Sequence, residues 1–151
     1  MKDATIDYIL RTTWLAVTKM YNEEAAKFES TMATGFALLS IDPENGTPST
    51  SLGPKMGMEA TSLSRTLKNM EERGLIERKP NPEDGRGVLI FLTEFGRKKR
   101  SYSKEKVLTF NDTIKANVAP AELESFYKVA EVINNMISNK KIYNKKEHTL
   151  K

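Results

Sequence analysis

Cysteine is absent from the 151 residues, and histidine occurs once, at His148. The first absence removes disulfides, thiolate metal sites, iron–sulfur clusters, cysteine nucleophiles and any trigger by cysteine oxidation. The second leaves acid–base pairs, catalytic triads and zinc sites with almost nothing to be built from. No enzyme activity, metal or cofactor is therefore expected. Long apolar runs are missing as well. The longest uncharged stretch, Ser30 to Ile41, is far too short for a bilayer and is interrupted by Gly35. The opening Met1-Lys2-Asp3-Ala4 lacks the apolar segment of a secretory signal, so a cytoplasmic chain with no membrane partner is expected.

What is present is charge, unevenly spread. Residues 1–50 hold 4 Lys/Arg against 7 Asp/Glu, residues 51–100 hold 11 against 7, and residues 101–151 hold 9 against 6. The net charges of the three thirds are thus −3, +4 and +3, giving the overall +4. A basic middle and end behind an acidic start suits a polyanion partner, although a lysine-rich face is commonly no more than a solvated one.

From Met1 to Thr34 there is no Gly or Pro, and Ile6, Ile9, Leu10, Thr13, Val17, Tyr21, Ala25 and Phe28 recur at three- and four-residue steps. That spacing predicts an amphipathic helix of about six turns. A shorter helix through Met32–Ile41 is apolar nearly all round and should be buried from several sides. The turn formers of Asp42–Pro48 end it. A short segment, Ser49–Met58, precedes a second periodic run in which Leu63, Leu67 and Met70 share one face, with Gly74 as the terminating glycine. Two strands are expected next, Leu75–Lys79 and Val88–Leu92, flanking Pro80–Gly87 as a loop too long for a tight turn. Thr93 can cap another helix running through Phe95, Tyr102, Val107, Phe110, Ile114 and Val118. Pro120 opens a last helix with its stripe at Leu123, Phe126, Ala130, Ile133 and Ile137. The expected fold is mainly α with a small β-hairpin wing: a winged helix-turn-helix flanked by amphipathic N- and C-terminal helices.

The stretch Ser51-Leu-Gly-Pro-Lys-Met-Gly-Met-Glu-Ala-Thr-Ser-Leu-Ser-Arg-Thr-Leu-Lys-Asn-Met-Glu-Glu-Arg-Gly74 resembles the helix-turn-helix of the MarR family of bacterial transcription regulators. Its continuation, Leu75 to Arg86 and then Leu92-Thr-Glu-Phe-Gly96, resembles that family's wing and the entry to its next helix. The most specific part is the linked set Gly57, Gly74, Asp84-x-Arg86 and Leu92-Thr93-x-x-Gly96. The resemblance implies a homodimer whose first and last helices interlock across a two-fold axis. It also implies an effector near the junction of the dimerisation and DNA-binding parts, of phenolic-acid or lipophilic, acyl-type character. The chain then divides into an N-terminal dimerisation helix (1–30), a winged helix-turn-helix DNA-binding domain (31–100), C-terminal dimerisation helices (101–142) and a basic tail (143–151). Three positions depart from the pattern. Glu59 stands where a Ser or Thr often caps the recognition helix, Gly85 where the wing is often basic, and Pro54 lies inside the short helix.

On the recognition helix the face opposite Leu63, Leu67 and Met70 holds Thr61, Ser62, Ser64, Arg65, Lys68 and Asn69. Arg65 can donate twice to guanine and Asn69 can pair with adenine, while small hydroxyls approach bases or phosphates closely. A polar helix face in isolation is commonly just wet; the wing and the glycines beside it favour DNA. Arg86 in the wing can enter the minor groove or clamp a phosphate, with Asp84 expected to hold its guanidinium. Lys55, Arg78 and Lys79 are expected at phosphates. Trp14, Tyr21, Phe28, Phe36, Phe110 and Phe126 suit a core better than a ligand pocket, and no effector-binding residue is assigned.

The function expected is a sequence-specific regulator, a repressor, binding double-stranded DNA as a homodimer on a pseudo-palindromic operator and relieved by a small lipophilic or aromatic effector. The alternative is a winged-helix module that uses the same basic face for protein or RNA and has no operator.

Overall fold

The unbroken apolar spacing near the N-terminus folds as one helix, α1 (Ile6–Ala26), in the computed structural model, which describes residues 3–143. The chain leaves α1 through Glu29, whose φ of 54° is left-handed. It re-enters a helix at once as α2 (Met32–Ser40), where the Thr31 hydroxyl accepts the Thr34 N–H at 3.2 Å. Asn22 of α1 accepts the Met32 N–H at 3.0 Å, so one helix end is capped by a side chain from its neighbour. Glu24 on α1 takes hydrogen bonds from Lys27 (2.7 Å) and from Lys106 (3.0 Å) further along the chain. These two ammonium groups, Lys27 first, hold its carboxyl below the ordinary range.

After α2 come β1 (Thr47–Pro48), α3 (Ser49–Met56), α4 (Ala60–Glu72), β2 (Ile76–Asn81), β3 (Asp84–Leu92), α5 (Glu94–Asn117) and α6 (Pro120–Ser138). Pro120 at the first turn of α6 loses no intrahelical bond there. The chain divides within α5 into two compact units, one ending at Lys106 and the other beginning at Val107. The basic tail expected at 143–151 lies, except for Tyr143, outside the described residues.

The core of the first unit is aliphatic. Ala37, Leu38 and Ile41 from α2 and its end, Leu52 from α3, Leu63, Leu67 and Met70 from α4, and Leu75, Ile76, Ile90 and Leu92 from the sheet are all buried. Each such leucine or isoleucine contributes roughly 1.5–3 kcal/mol by leaving water. The aromatics expected in a core are elsewhere: Trp14, Phe28 and Phe126 are exposed, and Phe36 is half-buried against Tyr21 at 5.7 Å between ring centroids. Tyr21 and Phe110 are likewise half-buried, whereas the faces that carry Trp14 and Phe126 are left open by the described residues.

The sheet differs from the expected hairpin in two ways. It has three antiparallel strands in the order β1-β3-β2, with Thr47 opposite Ile90 and Ile76 opposite Leu92. The presumed long loop is also mostly strand. Pairing continues through Pro80 opposite Val88, and Asn81 opposite Asp84 leaves only Pro82 and Glu83 at the tip. Pro80 is tolerated because β2 lies at the sheet edge, where no neighbour needs its missing N–H.

Gly46, with φ 71°, passes so close to β3 that a Cβ would lie 2.9 Å from the Ile90 carbonyl oxygen and from the Phe91 ring. Gly46→Ala is therefore expected to lower stability by roughly 1–3 kcal/mol, through a left-handed backbone and a backbone clash together. Chemical denaturation checks it. A variant as stable as the original would show that this approach is loose.

Candidate nucleic-acid interface

Helix α3 ends on Gly57, whose φ of 62° reverses the chain, while the Met58 N–H returns to the Gly53 carbonyl at 3.0 Å. Pro54 sits in the second turn of α3, deeper than a first-turn proline, and removes one bond to the preceding turn. Close approach of α3 to the following turn is possible because Gly53 has no Cβ; one there would sit 3.2 Å from the Met58 carbonyl oxygen. Helix α4 then starts at Ala60 with Glu59 as its cap residue, and the Glu59 side chain makes no capping bond. The departure noted in the sequence thus leaves the first amides of α4 without a side-chain partner.

Along α4 the buried row is Leu63, Leu67 and Met70. Thr61, Ser62, Ser64, Arg65, Lys68 and Asn69 are all exposed, as is Lys55 in the last turn of α3. Among the described residues neither Arg65 nor Lys68 forms an ion pair, so both cations are available. The last turn of α4 closes with the Leu75 N–H on the Met70 carbonyl (2.9 Å) and the Gly74 N–H on that of Glu71 (3.0 Å), Gly74 taking φ 73°. This is the two-bond glycine termination that the sequence spacing implies.

The wing places its charges differently from expectation. Asp84 accepts the backbone N–H of Arg86 at 3.1 Å; no Asp84–Arg86 ion pair forms among the described residues. A short acidic side chain in a turn reaches a nearby amide more easily than a guanidinium at the end of a long stem. Gly87 makes room for this, since a Cβ there would lie 3.1 Å from the Asp84 carboxylate. Lys79 is exposed, with its ammonium 4.8 Å from the Phe91 ring centroid and 4.0 Å from Glu77. Arg78, expected at a phosphate, instead donates from Nε to Glu71 Oε2 at 2.7 Å and ties β2 to α4. That pairing joins residues on different elements, and no local pattern announces it.

A second contact that sequence reasoning missed lies at the base of the wing. The Thr93 hydroxyl accepts the Gly96 N–H at 3.0 Å, capping α5 as expected, and also donates to the Gly74 carbonyl at 2.6 Å. The Thr93 N–H donates to the Leu75 carbonyl at 3.1 Å. Among the described residues no group of His, Cys, Asp and Glu is placed to hold a metal ion, and no helix is long and apolar enough to cross a membrane.

Comparison with known proteins agrees with this arrangement. The profile of the MarR family matches residues 31–88. The organic hydroperoxide resistance transcriptional regulator of Bacillus subtilis (strain 168) is 33% identical over 107 residues, which span 71% of this chain and 70% of that protein. In the other curated relatives the matched stretch spans 51–60% of their own length. Among solved structures, the S. aureus MepR–DNA complex is similar with a TM-score of 0.76 at 20% identity, covering 91% of this chain and 99% of that one. PcaV from Streptomyces coelicolor, in complex with its natural ligand, gives a TM-score of 0.75 at 20% identity, covering 87% and 93%.

Proposed function

The chain belongs to the MarR family, and from that premise we propose that it is a sequence-specific, double-stranded-DNA-binding transcriptional regulator. It acts as a homodimeric repressor on a pseudo-palindromic operator in the cytoplasm, and a small lipophilic or aromatic effector relieves it. The observation that carries this function is the exposed face of α4. Arg65, Lys68 and Asn69 stand there with Thr61, Ser62 and Ser64, opposite a buried apolar row and beside a wing. Such a face presents bidentate donors, an amide and small hydroxyls to a major groove. Lys55 and Lys79 meet phosphates, and Arg86, held through its backbone by Asp84, reaches from the wing tip.

Assembly is supported by apolar side chains that one chain leaves open. Ile6, Leu10 and Trp14 on α1 are 47–65% exposed, and Phe126, Val132 and Ile137 on α6 are 60–61% exposed. Surfaces of this kind on helices are usually interfaces. Dimerisation is accordingly assigned to residues 1–30 and 101–142, and DNA binding to 31–100. The effector reading draws on PcaV, which was solved with a natural ligand.

Two recognition helices related by a two-fold axis require half-sites about one helical turn apart, ~10 bp. Footprinting on the DNA upstream of the protein's own gene and of its neighbours is expected to show two inverted half-sites at that spacing. A direct repeat or a single half-site contradicts the dimer geometry. Equal affinity for native and random DNA favours the interaction module without an operator.

A further inference from the structure

We propose that Thr93 is a positioning residue for DNA discrimination: by donating to the Gly74 carbonyl, its hydroxyl fixes the end of the recognition helix relative to the wing. This rests on the DNA-binding function proposed above. The ends of four elements come together around Thr93. Gly74 is where α4 terminates, Ile76 begins β2 two residues later, Leu92 ends β3 opposite Ile76, and Glu94 begins α5. The Thr93 side chain and amide bond to Gly74, Leu75 and Gly96 across the junction. Gly96 belongs to the same device: a methyl there would overlap the Leu75 carbonyl oxygen, so α5 is seated directly on the backbone that leaves α4.

The hydroxyl does two separable things. Capping α5 needs only an acceptor, which Ser, Thr, Asp or Asn can supply. The bond to Gly74 needs a donor, and nothing about capping requires one. Its effect follows from leverage. Arg65 lies nine residues before Gly74 on the same helix, an arm of about 13 Å at 1.5 Å per residue. A tilt of ~10° at Gly74 displaces the Arg65 backbone by about 2 Å, whereas a directional contact tolerates only ~0.5 Å. Leu63, Leu67 and Met70 anchor one side of α4 alone. On the other side the Glu71–Arg78 pair is exposed and screened by salt. Flexible lysines reaching phosphates accommodate such a tilt, so discrimination suffers before general affinity does.

The test compares Thr93→Ser, Thr93→Asp and Thr93→Val in the full chain, with binding to operator and to random duplex of equal length measured across a salt series and thermal midpoints taken in parallel. Thr93→Ser keeps donor and acceptor and is expected to retain the original operator-to-random ratio. Thr93→Asp still caps α5 but cannot donate; its ratio is expected to fall about tenfold or more, the loss of one well-aligned base contact. The added charge weakens both DNAs together and cancels in the ratio. Should Thr93→Asp fail to fold, the ratio of Thr93→Val, which has the same shape without the hydroxyl, decides. An unchanged ratio in the folded non-donor variant overturns the proposal, as does a loss in Thr93→Ser equal to that in Thr93→Val. If the unaltered protein shows no operator preference at all, the DNA-binding function fails and this role falls with it. Preference in the unaltered protein with an unchanged ratio in the variants overturns the Thr93 role alone.

Discussion

Phe126→Asp is expected to leave the chain folded and to abolish its dimer. The ring is 60% exposed, touching Tyr127 at 5.8 Å between centroids, and α6 has no fully buried residue, so the single chain has little packing to lose. In the proposed dimer the same position is covered. An aromatic side chain moved out of water contributes roughly 1.5–3 kcal/mol, and an unpaired carboxylate placed there costs several kcal/mol. Two-fold symmetry applies both losses twice. Sedimentation at micromolar concentration is expected to give a dimer for the original and a monomer for the variant, with unchanged helical content by circular dichroism. Operator affinity falls with it, because linking two half-site contacts multiplies affinity by about 10²–10⁴. A stable monomer of the unaltered chain, or a dimer of the variant, contradicts the assigned interface.

The second large effect separates two cations by what they read. Arg65 projects from α4 on the face away from Leu63 and Leu67 and is exposed without an ion pair among the described residues. Its planar guanidinium can take two acceptors on one base edge, so Arg65→Ala is expected to cost ~1–3 kcal/mol per half-site and to relax preference at one base pair in each. Lys79 on β2 carries a point charge stacked over Phe91 and suits a phosphate, which bears no sequence information. Lys79→Ala should weaken operator and random DNA by similar factors and flatten the salt slope by about one unit per lost contact. Binding of both variants to both DNAs across a salt series distinguishes them. An equal loss on the two DNAs for Arg65→Ala means that the base-reading face lies elsewhere on the helix.

Most helices were legible because their signals are local. The buried row of α4, the glycine at its end, the Thr93 cap and Pro120 all follow from neighbours in sequence, and each is found where the spacing puts it. Strand β1 was not legible: two residues, one of them proline, carry no periodicity, and Thr47–Pro48 is a strand only because β3 lies beside it. The tip of the wing was misjudged for a related reason. Proline, asparagine and two glycines look like loop, yet an edge strand accepts Pro80 and the pairing persists to Asn81. In the candidate interface the exposed face of α4 followed from helical phase. The Arg78–Glu71 pair and the Thr93–Gly74 bond did not, because each joins residues that only the folded chain makes neighbours.

The order β1-β3-β2 bears on the chain before it finds its partner. A newly made copy carries open apolar side chains on α1 and α6, and a bare strand edge would add a route to indefinite stacking. On one side of β3 the short β1 pairs only with Leu89 and Ile90. On the other, β2 carries Glu77, Arg78 and Lys79 in succession, followed by Pro80, which has no N–H to offer. Strand addition along β2 is therefore disfavoured, which makes the open faces of α1 and α6, proposed above as the interface, the easier place for a second copy to dock.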